Sequence, residues 1–139
     1  MTSEHASAEA SRLRPVPPAQ LSAGALRTFF NIVAAWRLDA EQAMRLLGLT
    51  SRSTYFKWKK DPAGARLSPD TLERLSYVFG IYKALQILLP RADAADDWVH
   101  RPNDAPPFNG RPALERMLGG QVADLYVVRQ YLDAQRGWS

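Results

Sequence analysis

The apolar positions of this chain fall almost everywhere into steps of three and four. Leu26, Phe29, Phe30, Val33 and Trp36 form one stripe, the pattern of a helix with a single buried face. Ser22 is suited to cap that helix, and Leu21 and Leu26 stand at hydrophobic-staple spacing, so order is expected to begin near residue 21. A second helix is predicted from Asp39, where Gln42 completes a capping box. Its inner face is Ala43, Leu46 and Leu47, and Gly48 is placed to end it in the left-handed conformation. Ser51 can cap a third helix that Pro62 stops. Ser68-Pro69-Asp70 gives the clearest start signal, a cap followed by a first-position proline and a first-turn acid. From there Leu72, Leu75, Val78, Phe79, Tyr82, Leu85, Leu88 and Leu89 keep helical spacing up to Pro90, with Gly80 marking the place for a kink.

Beyond Pro90 the pattern shortens. A small helix is expected from Ala92 to His100, then an irregular loop from Arg101 to Gly110 rich in Pro, Asn and Gly. A short helix from Pro112 to Leu118 ends at Gly119-Gly120, and a last one from about Gln121 to Gln135 turns Val122, Leu125, Val128 and Leu132 inward. No strand pattern survives beside these helices. The expected fold is therefore all-α: a helix-turn-helix domain over residues 21–66, a connecting helix over 67–90 and a small C-terminal helical domain over 91–139. Residues 1–20 lack apolar periodicity and read as a flexible tail closing in the stiff Pro15-Val16-Pro17-Pro18 segment, although Arg12 and Arg14 would suit an arm that touches a partner.

Composition removes several classes of function. There are no cysteines, which excludes disulfides, thiolate nucleophiles and cysteine-based zinc sites. The two histidines are His5 and His100, so neither a metal nor a cofactor is expected. No apolar run approaches the roughly 18 residues that cross a bilayer, and nothing resembles a signal peptide, which makes a cytoplasmic protein without membrane contact the expectation. Asp96, Asp97 and His100 lie within one helical turn, a spacing compatible with acid–base work. Asp96 and His100 at i, i+4 are more often a surface pair, and no nucleophile elbow, phosphate loop or metal spacing accompanies them. No catalytic residue is assigned.

Charge adds a direction. The net charge is +4, but its distribution matters more. Between Arg45 and Arg66 six basic residues face one acid, Asp61, whereas between Arg91 and Asp104 four aspartates face two arginines. The basic stretch contains the third helix. If Ser51 caps it, Tyr55 and Trp58 fall inward, and Arg52, Ser53, Phe56, Lys57 and Lys60 fall on the opposite face. That outward set suits a major groove: a guanidinium for guanine edges, hydroxyls of Ser51 and Ser53 for bases or phosphates, and a ring for thymine methyls. Lys59, Lys60 and Arg66 suit phosphates. An exposed Phe56 among lysines is a costly surface unless something covers it, so operator DNA is the expected partner, and two half-sites imply a homodimer.

The run LGLTSRSTYFKW resembles the helix-turn-helix of bacterial Xre-type regulators, with a turn one residue longer than is usual there. In the second half, Trp98, Pro102-Asn103, Phe108-x-Gly110-x-Pro112, Met117 and Gly120, followed by a closing helix ending near Gly137, resemble the C-terminal toxin-binding domain of Xre/MbcA/ParS antitoxins. This likeness implies an antitoxin of a type II toxin–antitoxin pair that sterically blocks a RES-domain, NAD-consuming toxin and represses its own operon. Carried over, it makes Arg129, Tyr131, Arg136 and Trp138 the candidates for toxin contact; Phe108 is placed with them, the other reading being that it closes the local core with Trp98. Two other readings stay open: a stand-alone regulator whose second half dimerises or senses a ligand, and an adaptor whose basic helix meets an acidic protein.

Overall fold

The structure, a computed structural model, describes residues 18–137. Most of the predicted tail, with Arg12 and Arg14, and the candidate contact Trp138 lie outside those residues. Helix α1 spans Pro18–Ala35, α2 Ala40–Leu47, α3 Arg52–Lys60 and α4 Pro69–Leu88, with a 3₁₀ turn at Pro62–Gly64 between the last two. Helix α5 (Ala92–Asp97) runs into a second 3₁₀ turn, Trp98–His100, and α6 (Ala113–Met117) and α7 (Val122–Gln135) complete the chain. The fold is all-α, as the periodicity predicts.

The capping chemistry explains why these boundaries fall where they do. Asp39 Oδ1 accepts from the Gln42 N–H at 2.8 Å while Gln42 Oε1 accepts from the Asp39 N–H at 3.0 Å, closing the box at the start of α2. Gly48 ends α2 at φ 75°, the left-handed region. Ser51 caps α3 and Ser68 caps α4 through the N–H groups of Thr54 and Thr71. Asp124 accepts from the Gln121 N–H at the start of α7.

Four expectations are corrected. Helix α1 starts at Pro18, a turn before Ser22, so residues 18–20 are helical and not tail. Ser22 is consequently buried inside the helix, while Leu21, expected to staple onto Leu26, is exposed. A proline is tolerated in a first helical turn because its missing N–H is unpaired there anyway. Gly80 does not divide α4, which runs unbroken for 20 residues. The loop after residue 101 is not wholly irregular: Pro102–Asn103 and Arg111–Pro112 pair as a two-residue antiparallel ladder. The inward faces also differ at their edges, since Leu72 is exposed and Val122 only half-buried, whereas Ile81 and Ala84 are buried.

One apolar core runs through both halves, from Leu26, Phe29 and Trp36 through Leu75, Val78 and Leu85 to Leu125, Val128 and Leu132. Helix α4 is its spine, packed on α1 and α2 on one side and on α7 on the other. Polar groups lock this spine. The Arg74 side chain is buried, its Nε donating to Asp70 at 2.8 Å and its Nη2 to the Gly120 carbonyl at 3.0 Å. Its Nη1 meets the Arg45 carbonyl at 3.4 Å, and Thr71 Oγ1 donates to the Leu47 carbonyl at 3.2 Å. These bonds give the Leu47 carbonyl at the end of α2 and the Gly120 carbonyl in the turn before α7 a donor, and add a second one to the Arg45 carbonyl, which also accepts from the Gly48 N–H at 3.2 Å.

Candidate nucleic-acid interface and C-terminal module

Helix α3 has the two faces its sequence predicts. Tyr55 and Trp58 are buried at 2% and 8% exposure, whereas Arg52, Ser53, Phe56, Lys57, Lys59 and Lys60 are exposed. Packing fixes this rotation. Phe29, Phe30, Tyr55 and Phe56 form an edge-to-face ladder with centroid separations of 5.6, 5.7 and 5.1 Å, leading from the core to the surface. Burial, helped by the negative charge of Asp39, holds the Tyr55 hydroxyl above its ordinary titration range. Phe56 ends the ladder with 44% of its surface open.

The outward groups differ in how committed they are. Arg52 Nη1 donates to Glu41 in the first turn of α2, and its guanidinium lies 5.3 Å from the Phe56 ring centroid. Ser51 Oγ lies 3.0 Å from Ser53 Oγ while capping the helix. Among the described residues, Lys57, Lys59 and Lys60 form no ion pair. The result is an exposed helix bearing cations, hydroxyls and one ring, preceded by a tight Gly48 turn.

The C-terminal module is organised around its aromatics. Trp98 and Tyr131 stack at 6.3 Å, and Phe108 stands edge-on to both, at 5.9 and 5.2 Å. Phe108 is 3% exposed, so its ring cannot serve as a direct contact: it seats the loop on the core. Tyr131 is half-buried. Arg129 donates to Asp133 and to the Ser76 carbonyl, both at 3.3 Å. It does so across Gly80, where a Cβ would come within 2.1 Å of Nη1; the glycine makes room for a guanidinium and not for a bend. Arg136 follows α7 directly and is partly exposed. The loop itself is held by Arg116, which reaches Asp124 at 3.0 Å and the Pro107 carbonyl at 3.3 Å. Asn109 and Gly110 take positive φ of 53° and 85°.

The trio Asp96, Asp97 and His100 is engaged elsewhere. His100 Nε2 donates to the Trp36 carbonyl at 2.6 Å, which places the proton on that nitrogen and replaces the expected pair with Asp96. Asp96 accepts from Gln86. Asp97 binds Arg101 and Arg37, which hold its carboxyl below the usual range. Arg74 and Glu41 are the residues that sequence reasoning missed; only Asp70 four residues before Arg74 hinted at a pair.

A helix-turn-helix with an outward basic face, joined through one spine to a compact helical module, defines a class of DNA-associated two-part regulators. Comparison narrows it. Residues 16–80 match the Antitoxin Xre-like helix-turn-helix domain, and residues 84–137 match the Antitoxin Xre/MbcA/ParS C-terminal toxin-binding domain. An uncharacterized protein of Sinorhizobium fredii (strain NBRC 101917 / NGR234), y4oB, is 55% identical over 112 residues, covering 81% of this chain and 84% of the relative. The chain belongs to the Xre/MbcA/ParS antitoxin family. It has an antitoxin role in a toxin–antitoxin system. The two matches meet inside α4, the element that carries the shared core. Among the described residues, no helix is long and apolar enough to cross a membrane.

Proposed function

We propose that this antitoxin has two binding surfaces. The outward face of α3, with Ser51, Arg52, Ser53, Phe56, Lys57, Lys59 and Lys60, binds operator DNA and represses the operon. The C-terminal module, through Arg129, Tyr131 and Arg136, and Trp138 beyond the described residues, sterically blocks a RES-domain toxin that degrades NAD. The protein works as a cytoplasmic homodimer because groove recognition by this motif uses two half-sites. Inhibition requires no chemistry from this chain; NAD belongs to the toxin.

One observation carries the DNA reading: four cations and a ring project from the same short helix whose other face is packed. Phosphates supply affinity to the lysines, and base edges supply specificity to Arg52. The toxin reading rests on the family of the C-terminal module. The test is the double variant Arg52→Ala with Lys57→Ala, expected to weaken operator binding by about 100-fold in a mobility shift while still rescuing cells from the co-expressed toxin. Unchanged mobility would remove the DNA assignment. A chain ending at Gln135 keeps Leu132 and the α7 core, and is expected to bind DNA yet fail to co-purify with the product of the neighbouring frame.

A further inference from the structure

The first residue of the recognition helix is not left free. Glu41, in the first turn of α2, accepts from Arg52 Nη1, and Phe56 lies beneath the guanidinium with 5.3 Å between Cζ and the ring centroid. Both members of the pair are well exposed, with 59% and 66% of their side-chain surfaces open. An ion pair this exposed adds little to stability. It also sets a carboxylate beside the face proposed to meet phosphates, where it opposes binding to any duplex. Its value must therefore lie in something other than stability or general affinity.

Geometry suggests what. With Nη1 given to Glu41, Arg52 keeps its Nε and Nη2 hydrogens on one edge, the arrangement that matches O6 and N7 of guanine. Phe56 below and Glu41 beside it restrict a long side chain that otherwise gives up much rotamer freedom on being fixed. We infer that Glu41 is a specificity-determining positioning residue: it presents Arg52 to a guanine edge and disfavours duplexes that offer none. This rests on the proposal that α3 reads DNA, and its test separates the two.

Full-length protein is titrated by fluorescence anisotropy against two labelled duplexes. One covers the DNA immediately upstream of its own coding frame, and the other has the same composition in scrambled order. Glu41→Gln is expected to bind the scrambled duplex about 3–10-fold more tightly, since one repelling charge is removed. Operator affinity should change by no more than about twofold, so the discrimination ratio falls. Arg52→Lys keeps the charge but cannot form the paired contact, and should lower the ratio while holding scrambled binding within about twofold. A Glu41→Gln protein with the wild-type ratio would overturn the inference, including the case in which only its melting temperature drops and the pair proves a brace between α2 and α3. Wild-type protein that binds both duplexes equally would overturn it too, leaving the DNA reading intact. Wild-type protein with no salt-sensitive binding to either would remove both.

Discussion

The two halves of this antitoxin use the same kinds of side chain, cations and aromatics, in opposite ways. In the helix-turn-helix half, Phe29, Phe30 and Tyr55 build a rigid support, and Lys57, Lys59, Lys60 and Phe56 are left projecting from it. In the C-terminal half the residues expected to project are largely consumed in construction. Phe108 is buried, Tyr131 is stacked on Trp98, and Arg129 is tied to Ser76 and Asp133. The difference follows from local order. Helix α3 is nine residues with a cap at each end, so one packed face fixes the other. The stretch from 101 to 120 has only a two-residue ladder and the short helix α6 as regular structure, and large side chains seat it on the core.

The sharpest way to break this comparison is to truncate one residue from each half. Phe108→Ala removes a buried ring and is expected to cost about 3–5 kcal/mol, read as a fall of roughly 10 °C or more in melting temperature. Lys57→Ala, on the open face, should stay within about 0.5 kcal/mol of the parent. If the two variants melted together, Phe108 would not be the structural anchor described. Next in size is the clamp between the halves. Arg74→Ala leaves the Gly120 carbonyl without its donor, removes one of two donors to the Arg45 carbonyl and frees Asp70 of its partner, and is expected to cost about 2–4 kcal/mol. Arg74→Lys should recover only part, because one ammonium cannot span three acceptors held apart by a planar fork. Full recovery by lysine would mean that charge alone matters there.

These residues also mark where reading the sequence succeeds and where it stops. Caps at Asp39, Ser51 and Ser68, the Gly48 terminus and the inward and outward faces of α3 were all legible, because each depends on neighbours within four residues. The start of α1 was misplaced because Ser22 has the side chain of a cap, and only tertiary burial reveals that it lies inside a helix. Arg74 was invisible for a related reason: two of its acceptors are main-chain carbonyls 29 and 46 residues away, which no local pattern encodes. Phe108 was legible as important, but its role was read as contact because an aromatic in a loop carries no mark of burial.

Two glycines sharpen the contrast at a smaller scale. Gly24 in α1 has nothing within 4 Å of the position a Cβ would occupy, so Gly24→Ala should stabilise by about 0.5–1 kcal/mol through helix propensity. Gly80 in α4 would gain the same propensity, yet its Cβ would collide with the Arg129 guanidinium and displace it from Ser76. Gly80→Ala is therefore expected to forfeit that gain and stay within about 0.5 kcal/mol of the parent in denaturant titration. Equal and favourable shifts in both variants would show that Arg129 moves aside freely and does not tie α7 to α4.

The smallest expected effect lies where the halves meet at the surface. Asp97 on α5 accepts from Arg101 and from Arg37, two residues past the end of α1 and at a positive φ of 55°. The hydrogen bond from Arg101, then that from Arg37, lowers its pKa from the usual carboxylate value. A carboxyl with a depressed folded pKa contributes stability that is complete above the unfolded value, near pH 4, and lost as pH falls through the folded one. Arg101→Ala with Arg37→Ala is thus expected to melt close to the parent at pH 7 and to lose less on further acidification below about pH 4. Melting curves from pH 7 to pH 2 read the difference directly. Parallel acid limbs in parent and variant would mean that Asp97 titrates as it does in the unfolded chain, and that this surface bridge does not couple the first helix of the DNA-binding half to the module that follows α4.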